Sequence, residues 1–128
     1  MHALWRWAVM MNDRLKRHEK GHKAEFWASI YMALKFYRLR AKRYKTRVGE
    51  IDLVMTKSRQ IIFCEVKARA ELQGGLEAVS AKSQERIQRA AEYFCQRHPQ
   101  FQNYLWRFDA IVVRPWRLPY HLKDAWRP

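Results

Sequence analysis

The 128-residue chain predicts a mixed α/β fold, on three observations. Two segments near the N-terminus repeat apolar residues at helical spacing. Two short apolar runs are separated by four polar residues, as in a β-hairpin. A third helical repeat is then followed by one more apolar run. The order helix, helix, strands, helix, strand is that of helices packed on a mixed sheet.

Leu4, Trp7, Ala8, Met11 and Leu15 predict an amphipathic helix over about 3–19. Gly21 breaks it. Ala24, Trp27, Ala28, Tyr31 and Leu34 repeat the period and predict a helix near 22–35, with Trp27 and Tyr31 in its core face. The basic, aromatic stretch 36–47 follows, with a short strand at its start. In "EIDLVMT", residues 50–56, Ile51, Leu53 and Met55 alternate with Glu50, Asp52 and Val54. "KSRQ" connects this run to "IIFCEVKA", residues 61–68, although the turn lacks an Asn-Gly or Asp-Gly signal. A loop with Gly74 and Gly75 leads to Ser80, a fitting N-cap for a helix to about 97 with Ile87, Ala90, Ala91 and Phe94 as its stripe. Pro99 ends that helix. "WRFDAIVV", 106–113, is the last strand, and a Pro-punctuated tail closes the chain with a turn near 121–126.

The length fits one domain with a modest core. Lys and Arg number 26 against 12 Asp and Glu, a net charge of +14. Solubility needs far less, so a polyanionic partner is expected, nucleic acid before a membrane surface or ribosomal RNA. Part of the excess is clustered: "KFYRLRAKRYKTR", 35–47, has seven basic residues and no acid. Arg40, Lys42, Arg43, Lys45 and Arg47 are its candidate phosphate contacts, and Tyr37 and Tyr44 its candidates for base stacking or for anchoring to the core. Two cysteines, Cys64 and Cys95, fit a reducing compartment and no disulfide framework. The N-terminus is no convincing signal peptide and no segment is long and apolar enough to span a bilayer, so a cytoplasmic location is expected.

Three charges in the hairpin need a reason. Residues two apart on a strand point to the same side, so Glu65 and Lys67 project together on the face of Ile61 and Phe63. If Asp52 faces the same way on the neighbouring strand, three charges converge. Burying them is costly unless they are paired or bind a metal, and two close carboxylates raise each other's pKa. Mg²⁺ takes oxygen ligands, often one or two carboxylates plus a substrate phosphate. The lysine can orient a water and stabilise charge on phosphorus. A salt bridge on a solvated sheet face is the competing account.

The layout of a strand with Asp, a partner with Glu-x-Lys and a following helix resembles the PD-(D/E)XK nuclease superfamily. More closely, Gly21 with Glu25, "RYKTRVGEIDLV" (43–54), "FCEVKAR" (63–69), "EAVSAKSQERI" (77–87), "AAEYF" (90–94) and "RFDAIVV" (107–113) resemble the YraN-like family of bacterial proteins. The resemblance covers residues 21 to about 126. It implies a restriction endonuclease-like mixed β-sheet flanked by helices over 21–128; residues 1–20, an extra N-terminal helical extension by their apolar spacing, fall outside it. It also implies hydrolysis of phosphodiester bonds in nucleic acid, DNA in the first place, with Mg²⁺ or Mn²⁺. Asp52 and Glu65 match the metal ligands, Lys67 the catalytic lysine, and Glu25 an acidic residue of the first helix that supports the metal site. Lys82 and Gln84 match polar positions near the phosphate path. Phe36 departs from a usual glycine at the end of the first helix, Ala68 from a frequent Thr, and Gln73 and Gly75 from a usual Gly and Pro. The resemblance leaves room for a homodimer.

Two other functions are open to the sequence. One is a basic nucleic-acid-binding accessory protein with little activity alone. The other, more distant, is a zinc metalloprotease, because "HEKGH", 18–22, matches H-E-x-x-H. That site would need His18 and His22 on one helix face with Glu19 as base. Gly21 weakens such a helix by about 1 kcal/mol relative to Ala, and Glu25 is too close to serve as the usual third ligand.

Overall fold

The computed structural model describes residues 21–72 and 79–128. The expected helix over 3–19 lies outside them, as do His18, Glu19, Gln73 and Gly75. Helix α1 covers 21–34. Strands β1 (Arg38–Lys45), β2 (Glu50–Lys57) and β3 (Gln60–Ala68) follow, then helix α2 (Ala81–Arg97), a 3₁₀ turn (Pro99–Phe101), and strands β4 (Leu105–Val113) and β5 (Tyr120–Trp126). The five strands form one sheet in chain order. Only β3 and β4 run parallel; the crossover between them is α2, and the other neighbours are antiparallel. The sheet is therefore mixed, with helices on both faces.

Strand alternation divides the core in two. Val54, Ile61 and Phe63 pack with Ile87, Ala90, Ala91 and Phe94 of α2. Leu53, Met55, Ile62 and Cys64 pack with Ala28 and Met32 of α1. Ile51, expected beside Leu53 and Met55, joins the α2 cluster instead. It lies beyond Leu53–Cys64, the last β2–β3 pair, where the two strands have parted.

Four expectations need correction. The stretch 36–47 holds a full edge strand rather than a short one at its start; its charges hide the period-2 signal while protecting the edge from further pairing. The tail forms β5 rather than a turn, its alternation obscured by a bulge opposite Phe108–Ala110 and by left-handed backbone at Asp124 (φ 53°). Trp27 is 55% exposed and Leu34 73%, because the small residues Ala24 and Ala28, with Met32, take the face nearest the sheet. The helix is apolar nearly all round, so its pattern did not select the buried face. The β2–β3 connection closes with only Ser58 and Arg59 between paired Lys57 and Gln60, Ser58 taking the left-handed position (φ 55°).

The end of α1 is a Schellman-type cap. Tyr37 N donates to Met32 O and Phe36 N to Ala33 O, both at 3.0 Å. Phe36 stands in the left-handed region (φ 69°) with its side chain in solvent. A ring that packs on little and a backbone suited to glycine give a clear expectation. Phe36→Gly raises stability by about 1 kcal/mol, read as a higher urea midpoint at unchanged slope.

Candidate active site

Asp52 and Glu65 reach one cleft from adjacent strands. The β2–β3 ladder ends at Leu53–Cys64, and beyond it Asp52 Oδ2 accepts the Val66 N–H at 2.8 Å. The carboxylate thus takes a backbone donor where the strands part, which fixes its position. Glu65 follows the parity of Ile61 and Phe63 onto the α2 side. Its Oε1 meets Lys67 Nζ at 2.9 Å, with both side chains largely shielded. Glu50, Asp52, Glu65, Ser83, Arg86 and Ile87 line the cleft, about 230 Å³ in volume.

The cleft exists because α2 lies unusually close to the start of β2. A Cβ on Gly49 would stand 2.0 Å from the Arg86 carbonyl oxygen and 2.7 Å from its carbon. That requirement is steric, since no strained dihedral is involved. The turn before it is held by Thr46, whose Oγ1 donates to Gly49 O at 2.8 Å and accepts from Val48 N and Gly49 N. The glycine of "GEID" therefore sets the distance between the helix and the acidic strand.

Electrostatics mark Asp52 as the strained member. Burial and the neighbouring Glu65 push its carboxyl up to about 8, the Val66 N–H pulls it back, and Glu25 and Glu50 add smaller repulsions. Glu25 is buried and close enough to be felt, but its Oε2 is held by Arg43 Nη1 at 2.9 Å. Among the described residues no group of three or more His, Cys, Asp or Glu side chains is placed to hold a metal ion; the carboxylates that line the cleft are Glu50, Asp52 and Glu65.

The other candidates are dispersed. Arg40 donates to Thr56 Oγ1 and covers the Phe101 ring, whereas Lys42 lies over Phe26 of α1. Arg43 is engaged with Glu25, and Lys45 and Arg47 are exposed. The basic stretch thus divides between two sheet faces instead of forming one patch. Tyr37 is buried, and Tyr44 packs edge-on to Phe94 at 5.1 Å, so both anchor the strand to the core. Lys82 is exposed and Gln84 donates to Val79 O at 3.2 Å, so neither lines the cleft. Ser83 and Arg86 do. They were overlooked, although with Ile87 they share the i, i+3, i+4 spacing of one helix face. In "HEKGH", only Gly21 and the exposed His22 are described.

Asp109 on β4, the most deeply buried charged residue among those described, was also overlooked. Arg107 Nε and Nη2 grip its two oxygens at 2.9 and 2.8 Å, His121 Nε2 lies 2.6 Å from Oδ2, and Asp124 N donates to Oδ1 at 2.9 Å. Burial alone would raise its pKa, but the bonds from His121, Arg107 and Asp124 N hold it below the usual carboxylate value. It pairs with Cys64 in register and so belongs to the α1 side, away from the cleft. Arg107 also donates to Tyr37 and Gln60. This fully satisfied network ties β4 to β5, β3 and the start of β1.

Residues 24–113 match the model of the uncharacterised protein family UPF0102. The chain belongs to that family. It is 46% identical over 114 residues to a UPF0102 protein of Agrobacterium fabrum, covering 89% of this chain and 93% of that one. It is 39% identical to one of Mesorhizobium japonicum (88% and 90% covered) and 43% identical to one of Parvibaculum lavamentivorans (89% and 86%). No helix of the described residues is long and apolar enough to cross a membrane.

Two predictions follow from this geometry. Gly49→Ala forces the Arg86 backbone away and lowers stability by about 2–3 kcal/mol, measurable by urea denaturation. The second concerns pH. The unfolded Asp52 carboxyl ionises near 4, but the folded one near 8, so between those values the native state holds the extra proton. Stability therefore falls with rising pH across that window. Asn can still accept the Val66 N–H without the charge, so Asp52→Asn is more stable than wild type in EDTA at about pH 8, by roughly 1–2 kcal/mol, and the advantage shrinks toward pH 5. Equal melting curves at both pH values would refute it.

Proposed function

We propose that this UPF0102 protein is a metal-dependent nuclease that hydrolyses phosphodiester bonds in nucleic acid, DNA in the first place. The observation that carries this reading is the shared cleft of Asp52 and Glu65 with Lys67 against Glu65. A structural ion pair between Glu65 and Lys67 gives no reason for a second, half-buried carboxylate whose Oδ2 accepts from the Val66 backbone N–H. The chemistry of the donor set fits a divalent cation. Two acceptor-only groups repel each other in a partly desolvated cleft, and a hard cation with oxygen ligands relieves that repulsion.

Mg²⁺ or Mn²⁺ held by Asp52 and Glu65 would supply Lewis acidity toward the phosphate and make a water acidic enough to attack near neutral pH. The chain supplies the rest. The Lys67 ammonium, a donor with no acceptor capacity, orients that water and offsets charge developing on phosphorus. Arg86 and the Ser83 hydroxyl stand at the cleft wall to bind phosphate oxygens, and Ile87 closes its base against solvent. Glu25 acts through its field on Asp52 while Arg43 keeps it in place. The net charge of +14 draws the polyanion in without reading its sequence.

The test is Mg²⁺- or Mn²⁺-dependent cutting of single-stranded, duplex, flap and branched DNA, and of RNA. Asp52→Ala and Glu65→Ala abolish cutting and keep metal-free nucleic-acid binding. Lys67→Ala slows the chemical step by roughly 10²–10⁴ while cation binding persists. Equal rates for wild type and Asp52→Ala would expose a contaminant and end the assignment. Tight binding with no cutting of any substrate would instead make this a nucleic-acid-binding accessory protein.

A further inference from the structure

The turn between β4 and β5, "RPWRLP" at 114–119, is the most conspicuous surface feature outside the cleft. Trp116 is fully exposed and Leu118 is 75% exposed, with Arg117 beside them in solvent. Pro115 fixes its own φ near the value required at the second position of a turn. Trp116, at the third, has φ 59°, where a type II turn calls for glycine or asparagine. A bulky aromatic residue in that region is strained, and here no burial offsets the strain. Phe36 shares this left-handed, exposed state at a helix end, so strain alone does not assign a use; Trp116 differs in standing between Arg114 and Arg117.

Its place in the fold points to one. Lys67 and Val112 are opposite each other in the parallel β3–β4 register, and Arg69 N donates to Val113 O at 3.1 Å. The turn therefore leaves the sheet at the end where the Glu65–Lys67 pair sits. Trp116 is four residues past Val112, at most about 13 Å of extended chain. Arginines on both sides of it, at 114 and 117, supply positive charge for a phosphate backbone.

We propose that Trp116 is a stacking platform for an unpaired base next to the phosphate held in the Asp52–Glu65 cleft, so that the substrate is nucleic acid with unpaired bases at the cut. This rests on the nuclease reading and names its substrate class. In an intact duplex each base face is covered by its neighbours, and inserting a side chain must first unstack them. In an unpaired strand the faces are open, and an aromatic ring stacks on any base. The flanking arginines hold the backbone in place.

The experiment is fluorescence anisotropy with the full chain in EDTA, using a labelled single-stranded oligonucleotide and the blunt duplex of the same sequence. Trp116→Ala and Trp116→Gly weaken single-strand binding by roughly 5- to 150-fold, while duplex binding changes by less than about twofold. Trp116→Phe keeps most of the affinity. The glycine variant melts no lower than wild type, because it relieves the backbone strain; a merely structural tryptophan would lower the melting temperature instead. Unchanged single-strand binding in all three variants, or an equal loss on the duplex, would overturn the proposal. So would Trp116-dependent binding to phosphatidylglycerol vesicles without any effect on oligonucleotides, which would make the turn a membrane contact. The binding arm needs neither metal nor turnover, so its result stands apart from whether wild type cuts.

Discussion

The close approach of α2 to Gly49 is the constraint on which the rest of the site depends. A helix packed over a sheet normally stands off by the length of the side chains between them. Here the Arg86 backbone touches the start of β2 where there is no side chain at all. That contact places Ser83, Arg86 and Ile87 over Asp52 and Glu65, and it narrows an open sheet face into a cleft. The same closeness removes water from Asp52, the main cause of its raised pKa. One missing Cβ thus sets both the shape of the site and the energy of its carboxylate.

The two faces of the sheet treat buried acid in opposite ways. On the α1 face, Asp109 has two arginine nitrogens, a histidine and a backbone N–H, and its pKa falls. On the α2 face, Asp52 has one backbone donor and a repelling neighbour, and its pKa rises. Folding alone favours the first arrangement, since a buried carboxylate left short of partners costs stability. A protein able to build the first within the same sheet has left the second incomplete. Deviations of this kind mark functional sites more often than structural ones.

Residues whose roles depend on neighbours in sequence were legible; residues whose roles depend on neighbours in space were not. The alternation of 61–68 gave the shared side of Glu65 and Lys67, and Ser80 with Ile87, Ala90, Ala91 and Phe94 gave α2 and its buried stripe. Both are local periodicities. Arg86 was hidden because its importance comes from Gly49, nearly forty positions away. Asp109 was hidden inside an ordinary-looking strand, and its partner His121 inside a tail whose strand character is interrupted by a bulge. Trp27 was misplaced because α1 offers apolar residues in every direction and the sheet selects the smallest.

The basic run at 35–47 carries the same lesson into electrostatics. In sequence it is one block of positive charge; on the strand a register shift between Leu39 and Ala41 and left-handed backbone at Arg43 (φ 50°) send its members to both faces. Arg40 turns to Thr56 and Phe101, while Lys42 and Arg43 turn to Phe26 and Glu25 of α1. Several of these cations are therefore occupied with an edge strand that needs charge to stay unpaired. A phosphate backbone entering the cleft would meet a discontinuous set instead: Arg86 from α2, Lys67 from β3, and the arginines of the β4–β5 turn. On the proposed nuclease reading, contacts from separate elements would constrain a phosphate backbone more than a single charged strand could, because each would fix a different point along it. On that reading affinity would come from the net positive charge, by long-range attraction, and orientation from Lys67 and Arg86, the cations placed beside the carboxylates.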